Sequence, residues 1–247
     1  MRACERYTSH VKFKLTVALV LGATYSFAAD PAISDAEEAR IGRILAESFE
    51  KNRGLAPTPQ VENIEKYLQI VGDRVAANAP RHLSYHFHFD PDPRFKSAVA
   101  LPGGQIFVGG GILAFLDSED QLAAILGHEI EHVALNQCQD RLLMLLKEQQ
   151  LSLGEAGKLK VEKFFAGYGH DGELAADREG VKLAAAAGYS PKSVIRLLET
   201  FLLLAERSPS TPNDSKTMLR ERIGQIRSVI EEEKLSIPSS EKPLAFP

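Results

Sequence analysis

Tryptophan is absent from the 247 residues, and aromatic side chains make up only 7% of them. Platforms that stack single-stranded bases depend on such side chains, so the composition argues against that class. A basic excess is missing too. The formal charge is −4, which leaves nothing to set against phosphates, and we expect no nucleic-acid partner. Two cysteines, Cys4 and Cys138, are too few for a disulfide framework. Internal repeats and low-complexity stretches are lacking as well. What remains is ordinary globular material, 44% hydrophobic and 25% charged, which argues against wholesale disorder and against a polytopic membrane protein. The length suits one good-sized core and is marginal for two.

The N-terminus reads as a secretory signal. Arg2, Arg6, Lys12 and Lys14 make a positive start, residues 15–27 are mostly apolar and uncharged, and Ser26 and Ala28 put small residues at −3 and −1 of a cleavage site. A retained membrane anchor is the competing reading, but the run is short for a bilayer span and carries Thr16, Thr24, Tyr25 and Ser26. We therefore expect residues 1–28 to be a signal peptide, residues 29–235 a single domain and residues 236–247 a mobile tail. The processed chain is expected to be periplasmic or secreted, with N-terminal membrane anchoring as the alternative. Cleavage would remove four basic residues and one acid and move the net charge from −4 to −7. It would leave Cys138 alone, read here as a small apolar residue on a helix.

Helical signals open the rest of the chain. Ser34 with Glu37 three residues on is a capping box, followed by Ile41, Ile44, Leu45 and Phe49 at helical spacing, and Gly54 ends that helix. Thr58-Pro59 opens a second helix with the stripe Val61, Ile64, Leu68, Val71 and Val75. A strand follows in which Leu83, Tyr85, Phe87 and Phe89 alternate with Ser84, His86, His88 and Asp90. That alternation puts His86 and His88 on its wet side rather than in a metal site. Two short strands at 98–101 and 105–108 are joined by Pro102-Gly103-Gly104. A second capping box at Ser118 opens a helix through Ile125, Ile130 and Val133, with helical continuation at 140–150. Further helices are expected at 173–187, from Ser190-Pro191, and at 217–233. The sum is an α+β domain, mostly helical, with one small sheet before the central helix.

His128-Glu129-Ile130-Glu131-His132 is an H-E-x-x-H pattern on that central helix. Four helical residues turn through about 400°, so both imidazoles stand on one face and can chelate one metal ion. Glu129 lies about 100° round from His128, near enough to reach a water on that ion without being a ligand. Leu122, Ile125 and Val133 occupy the opposite face and would bury the helix. Further on, Glu173 and Asp177 stand at i and i+4 of another predicted helix. A hydrolytic zinc site wants three protein ligands and one open position. Glu173 can be the third ligand, and Asp177 can accept the free N–H of a ligand histidine. Both acids can also be read as helix-start charge favoured by the macrodipole.

Leu101-Pro102-Gly103-Gly104, then His128-Glu129-x-x-His132, then Glu173-x-x-Ala176-Asp177, in this order behind a signal peptide, resemble the M48 peptidase family. That is the group of HtpX, the Ste-type CaaX prenyl proteases and the periplasmic BepA. The resemblance covers roughly residues 37–230 and points to the soluble periplasmic branch. It implies a zinc-dependent endopeptidase with a gluzincin-like zincin fold and one Zn2+ per chain. His128, His132 and Glu173 would be the ligands, Glu129 the general base, and Asp177 the support behind them. Three positions depart from the family pattern. Glu131 stands where a small residue is usual, and Ser97-Ala98-Val99-Ala100 replaces Asn-Ala-Phe-Ala. Lys216-Thr217 occupy the place of His-Pro ahead of Arg222-Ile223. Arg222 is the first candidate for a cation beside the oxyanion, and Lys216 the second.

The expected reaction is hydrolysis of peptide bonds in unfolded or misassembled envelope proteins, with Glu129 moving the proton. Ala98, Val99, Ala100 and Leu101 could form an edge that pairs with an extended substrate, and Pro102 fits such an edge. They could equally be plain core strand and turn. Polypeptide substrates are the expected partners, with peripheral association to the membrane or to outer-membrane assembly machinery. The rival reading is a zinc-binding chaperone or adaptor that keeps the fold and cuts weakly or not at all. A hydrolase of non-peptide substrates is the third.

Overall fold

The first helix is fixed at both ends by local chemistry. Ser34 Oγ accepts the Glu37 N–H (3.3 Å), and Gly54, at φ 65°, closes α1 (Asp35–Arg53) in the left-handed conformation that glycine adopts without strain. Ile41, Leu45 and Phe49 are its buried stripe. The next helix, α2 (Pro59–Ala76), starts from Thr58 with proline in its first turn and buries Leu68, Val71 and Val75. The computed structural model describes residues 33–246; the signal expected at residues 1–28 lies outside them. No helix among the described residues is long and apolar enough to cross a membrane.

Strands β1 (His86–Asp90), β2 (Ala98–Leu101) and β3 (Gln105–Gly109) form a sheet in the order β1-β3-β2. The central strand β3 runs parallel to β1 and antiparallel to β2. Alternate residues feed two cores. Ala100, Ile106 and Val108 pack with Leu68 and Val71 of α2, and Val99, Leu101 and Phe107 pack with Ile41, Leu45 and Phe49 of α1. β2 is an edge strand among the described residues. The Gly109 N–H donates to Ser97 O (3.0 Å). Ser97, Val99 and Leu101 therefore turn their backbone groups towards β3, while Ala98 and Ala100 turn theirs away. The Pro102-Gly103-Gly104 turn is pinned to α1, because the fully buried Glu38 accepts the Gly103 N–H (2.9 Å) and Arg81 Nη2 (2.6 Å). A Cβ on Gly103, at φ 69°, would lie 2.4 Å from Ala39 Cα.

The remaining elements are the short α3 (Gly110–Leu113), then α4 (Glu119–Ala134), α5 (Gln137–Glu148), α6 (Gly169–Ala186), α7 (Lys192–Arg207) and α8 (Asn213–Glu232). The architecture is the α+β, mostly helical one expected. The helical stretch past Val133 is broken at Asn136 (φ 60°), where the chain turns from α4 into α5. Short 3-10 turns at Leu153–Lys158 and Val161–Ala166 precede α6. α6 begins four residues earlier than the sequence suggests.

The packing of α4 on α6 decides where the candidate site residues lie. A Cβ on Gly127 would sit 2.7 Å from Gly180 O, and one on Gly180 would sit 2.7 Å from the His128 backbone nitrogen. The two backbones come this close because neither residue has a side chain. Glu173, Asp177 and Gly180 fall at i, i+4 and i+7 on one face of α6, so the glycine contact carries both acids to the histidine face of α4.

Two expectations fail. His88 is not on a wet face. Its ring stacks on Phe107 (4.4 Å), and its nitrogens meet Gln105 Oε1 and Glu50 Oε1 at 2.9 Å each. Burial disfavours its charge, but Glu50 and Gln105 outweigh burial and raise its pKa. His86 is exposed, as the alternation suggests. The C-terminal segment, expected to be mobile, is strapped across the start of α4. Lys242 O accepts the Glu119 N–H (2.9 Å), the Lys242 N–H donates to Asp120 Oδ2 (2.7 Å), and Phe246 packs edge-on to Tyr67 (5.1 Å). Its terminal position suggested mobility, while Leu244 and Phe246 supply the anchoring apolar surface.

Replacing Gly180 with alanine forces the two helix backbones apart. We expect a loss of about 1–3 kcal/mol, the usual range for an overpacked contact, seen as a Tm lower by several degrees in thermal unfolding followed by circular dichroism. An unchanged Tm would show that the crossing has slack.

Candidate metal centre

α4 presents His128 and His132 one turn apart on the side away from Leu122, Leu126, Ile130 and Val133, which are fully buried. Ile125, expected to share that buried face, is only half-buried and lines the cleft. The two Nε2 atoms lie 3.0 Å apart. Glu173 reaches over from α6, with Oε2 3.3 Å from His128 Nε2 and Oε1 3.9 Å from His132 Nε2. Two imidazole nitrogens and one carboxylate thus converge on a common point. A tetrahedral zinc ion with bonds of 2.0–2.2 Å spaces its ligand atoms about 3.3 Å apart, which the observed separations bracket. A donor set of this kind, without thiolate, belongs to hydrolytic rather than structural zinc. The residues present therefore fit the ion.

The far nitrogens of both rings are held from behind. His132 Nδ1 donates to Gln137 Oε1 (2.6 Å), whose amide Nε2 donates to Gly172 O (3.3 Å). That orientation of Gln137 leaves the His132 Nε2 lone pair facing the site. His128 Nδ1 lies 2.9 Å from Asp177 Oδ1, a close charge contact that falls outside good hydrogen-bond alignment. Arg222 grips the same carboxylate with two prongs, Nε to Oδ2 at 2.6 Å and Nη2 to Oδ1 at 2.7 Å.

These neighbours set the local charges. Burial opposes a charged His128, but Asp177 and Glu173 override it and raise its pKa to about 9. His132 is pushed down to about 3 by burial and by His128. Glu173 resists burial because His128 and then His132 hold it ionised, at about 2. Asp177 is lower still, through Arg222 and His128. Without metal, His128 thus stands between the Asp177 and Glu173 carboxylates, the place a divalent cation's charge takes over when bound. Glu129 lies beside it, and with His128 and His132 offers atoms within 4.8 Å of one another. Burial raises its pKa to about 7, against the pull of His128.

The centre forms the floor of a cleft of about 310 Å³. Ala98 and Val99 line one side, Leu197 and Phe201 of α7 another, and Arg222 the back. Of the four expected edge-strand residues, Ala100 and Leu101 are fully buried and do not reach the cleft. Lys216, in the first turn of α8, is not among the cleft-lining residues. Glu131 does not line the cleft either. It is buried, with Oε2 lacking a partner, and burial together with Glu179 raises its pKa to about 7. His170 pairs at the surface with Glu221 (3.4 Å). Sequence reasoning missed Gln137, Gly180 and Tyr168. Only Gly180 left a signal, its i+7 spacing from Glu173.

Residues 62–169, from α2 to the start of α6, match Peptidase family M48. The beta-barrel assembly-enhancing protease of Escherichia coli (strain K12) is 26% identical over 185 residues, 65% of this chain and 37% of that protein. The putative beta-barrel assembly-enhancing protease of Vibrio cholerae is 26% identical over 195 residues, 66% of this chain and 40% of that protein. The mitochondrial metalloendopeptidase OMA1 of Schizosaccharomyces pombe is 41% identical over 58 residues, 24% of this chain and 17% of that protein. The chain spans about a third of the length of the curated relatives it matches. With the paired histidines inside the matched segment and the α6 acids brought against them, residues 62–169 of this chain are similar to peptidase family M48.

Proposed function

We propose that the protein is a zinc metalloendopeptidase with His128, His132 and Glu173 as ligands and Glu129 as general base. The convergence of two Nε2 atoms and one carboxylate within 3.0–3.9 Å, beside a buried glutamate, carries this reading. When bound, the ion supplies Lewis acidity, polarising a peptide carbonyl and acidifying a water. Glu129, buried beside the ligands, would be the proton carrier, taking a proton from the attacking water and returning it to the leaving amine. Gln137 fixes the tautomer of His132, and Asp177 orients His128. Arg222 keeps Asp177 ionised, and its charge remains beside the cleft, where it favours a developing oxyanion. Lys216 has no part in these steps.

An extended polypeptide would pair its backbone with the outward edge of β2 at Ala98. Main-chain pairing gives weak sequence preference, which suits unfolded or misassembled envelope proteins. Relatives named for beta-barrel assembly and the signal-like residues 1–28 support a periplasmic setting close to outer-membrane assembly. The adaptor reading is favoured by one observation, Lys216 standing in the family's histidine position and outside the cleft.

Glu129→Gln separates the two. It is expected to bind zinc and melt like the wild type while casein hydrolysis falls by about 10²–10⁴-fold, the usual share of a general base. A wild type as inert as the variant, with both holding zinc, would favour the adaptor. Asp177→Asn is expected to weaken zinc binding about 10–100-fold in competition with a chelator. Unchanged affinity would remove Asp177 from the site.

A further inference from the structure

Ala98 and Ala100 both turn their backbone groups away from β3, but only Ala98 is open. The Ala100 carbonyl accepts the Tyr168 hydroxyl (3.0 Å). Tyr168 lies just ahead of α6 and touches three more parts of the site. Its own N–H donates to Glu173 Oε1 (3.1 Å), its ring lies 4.2 Å from the His132 ring, and its oxygen is 3.2 Å from Cys138 Sγ. A carbonyl can only accept, so the phenolic proton goes to Ala100 and the Cys138 thiol donates to the phenol oxygen. One residue thus joins the substrate-side strand, the third ligand, an imidazole and α5.

We propose that Tyr168 is a positioning residue that ends the open edge of β2 at Ala98, and so sets which peptide bond lies over the metal ligands, while its N–H and ring hold Glu173 and His132. The substrate half of this proposal rests on the protease reading. A peptide strand can pair at Ala98, whose carbonyl takes the exposed Ser97 hydroxyl (2.9 Å), a partner a substrate amide can displace. At the next outward-facing position it meets the Tyr168 side chain instead of free backbone. It therefore leaves the strand there and crosses the histidines. Without the whole side chain, the Ala100 carbonyl loses both its partner and its cover and becomes an acceptor for a substrate N–H. Outward-facing groups recur every second residue, so the pairing would extend by two residues.

Tyr168→Phe and Tyr168→Ala test this through zinc affinity by chelator competition and through the cut sites of an unstructured peptide mapped by mass spectrometry. The phenylalanine variant keeps the ring and the N–H. It should bind zinc within twofold of wild type and, with Ala100 still covered by the ring, keep the wild-type cut sites. The alanine variant loses the ring against His132 and should bind zinc at least tenfold more weakly, and at saturating zinc its cuts should be displaced by two residues. Wild-type cut sites in zinc-saturated Tyr168→Ala would overturn the register stop. Wild-type zinc affinity in Tyr168→Ala would overturn the hold on the ligands. If the wild type binds zinc and cuts no peptide, the protease reading falls, and the zinc measurement still decides the ligand half.

Discussion

The contact between Gly127 and Gly180 is the constraint on which the candidate site depends. An H-E-x-x-H helix supplies two ligands by its own periodicity, but a third must come from another element at the right height. Here the two helix backbones meet with no side chain between them. The face of α6 that carries Gly180 also carries Asp177 and Glu173, so a single close approach delivers both acids, one to each nitrogen of His128. The sheet, α1 and the C-terminal strap act at a remove, by holding β2 and the entry of α4 against this pair.

Charge then runs in alternating order through the site. Arg222 faces Asp177, Asp177 faces His128, and His128 faces Glu173. In the metal-free centre each partner favours the charged form of the next against the effect of burial, and a bound cation would take the place of the His128 proton. Glu129 stands outside that line. Burial is the largest influence on it and pushes it towards the neutral range, where a proton can be both taken and returned. Glu131, two residues on, is also buried, but it faces Glu179 and Lys182 rather than the cleft. Two glutamates two residues apart, both raised by burial, thus differ in surroundings through the helical rotation between them.

Much of this was legible in the sequence because it depends on local rules. The Ser34, Thr58 and Ser118 caps, the period-two strand before Asp90 and the i, i+4 pairs on α4 and α6 follow from backbone geometry alone. What depended on tertiary contact was not legible. The same alternation that marked the strand at residues 83–90 placed His88 on a wet face, and Phe107, Gln105 and Glu50 from other elements cover it. The tail reads as polar and irregular, yet Leu244 and Phe246 bury against the main core. Arg222 was picked out as a cation for the substrate, and the structure commits two of its nitrogens to Asp177. Tyr168 carries no motif at all, and its importance lies in its contacts with Ala100, His132 and Cys138, all distant in the chain, and with nearby Glu173.

Diffraction from zinc-loaded crystals, recorded on both sides of the zinc absorption edge, tests the central claim most directly. The account predicts one anomalous peak within about 2.0–2.2 Å of His128 Nε2, His132 Nε2 and a Glu173 oxygen. A peak held by the two imidazoles with Glu173 beyond bonding distance, or a peak elsewhere on the molecule, would contradict it.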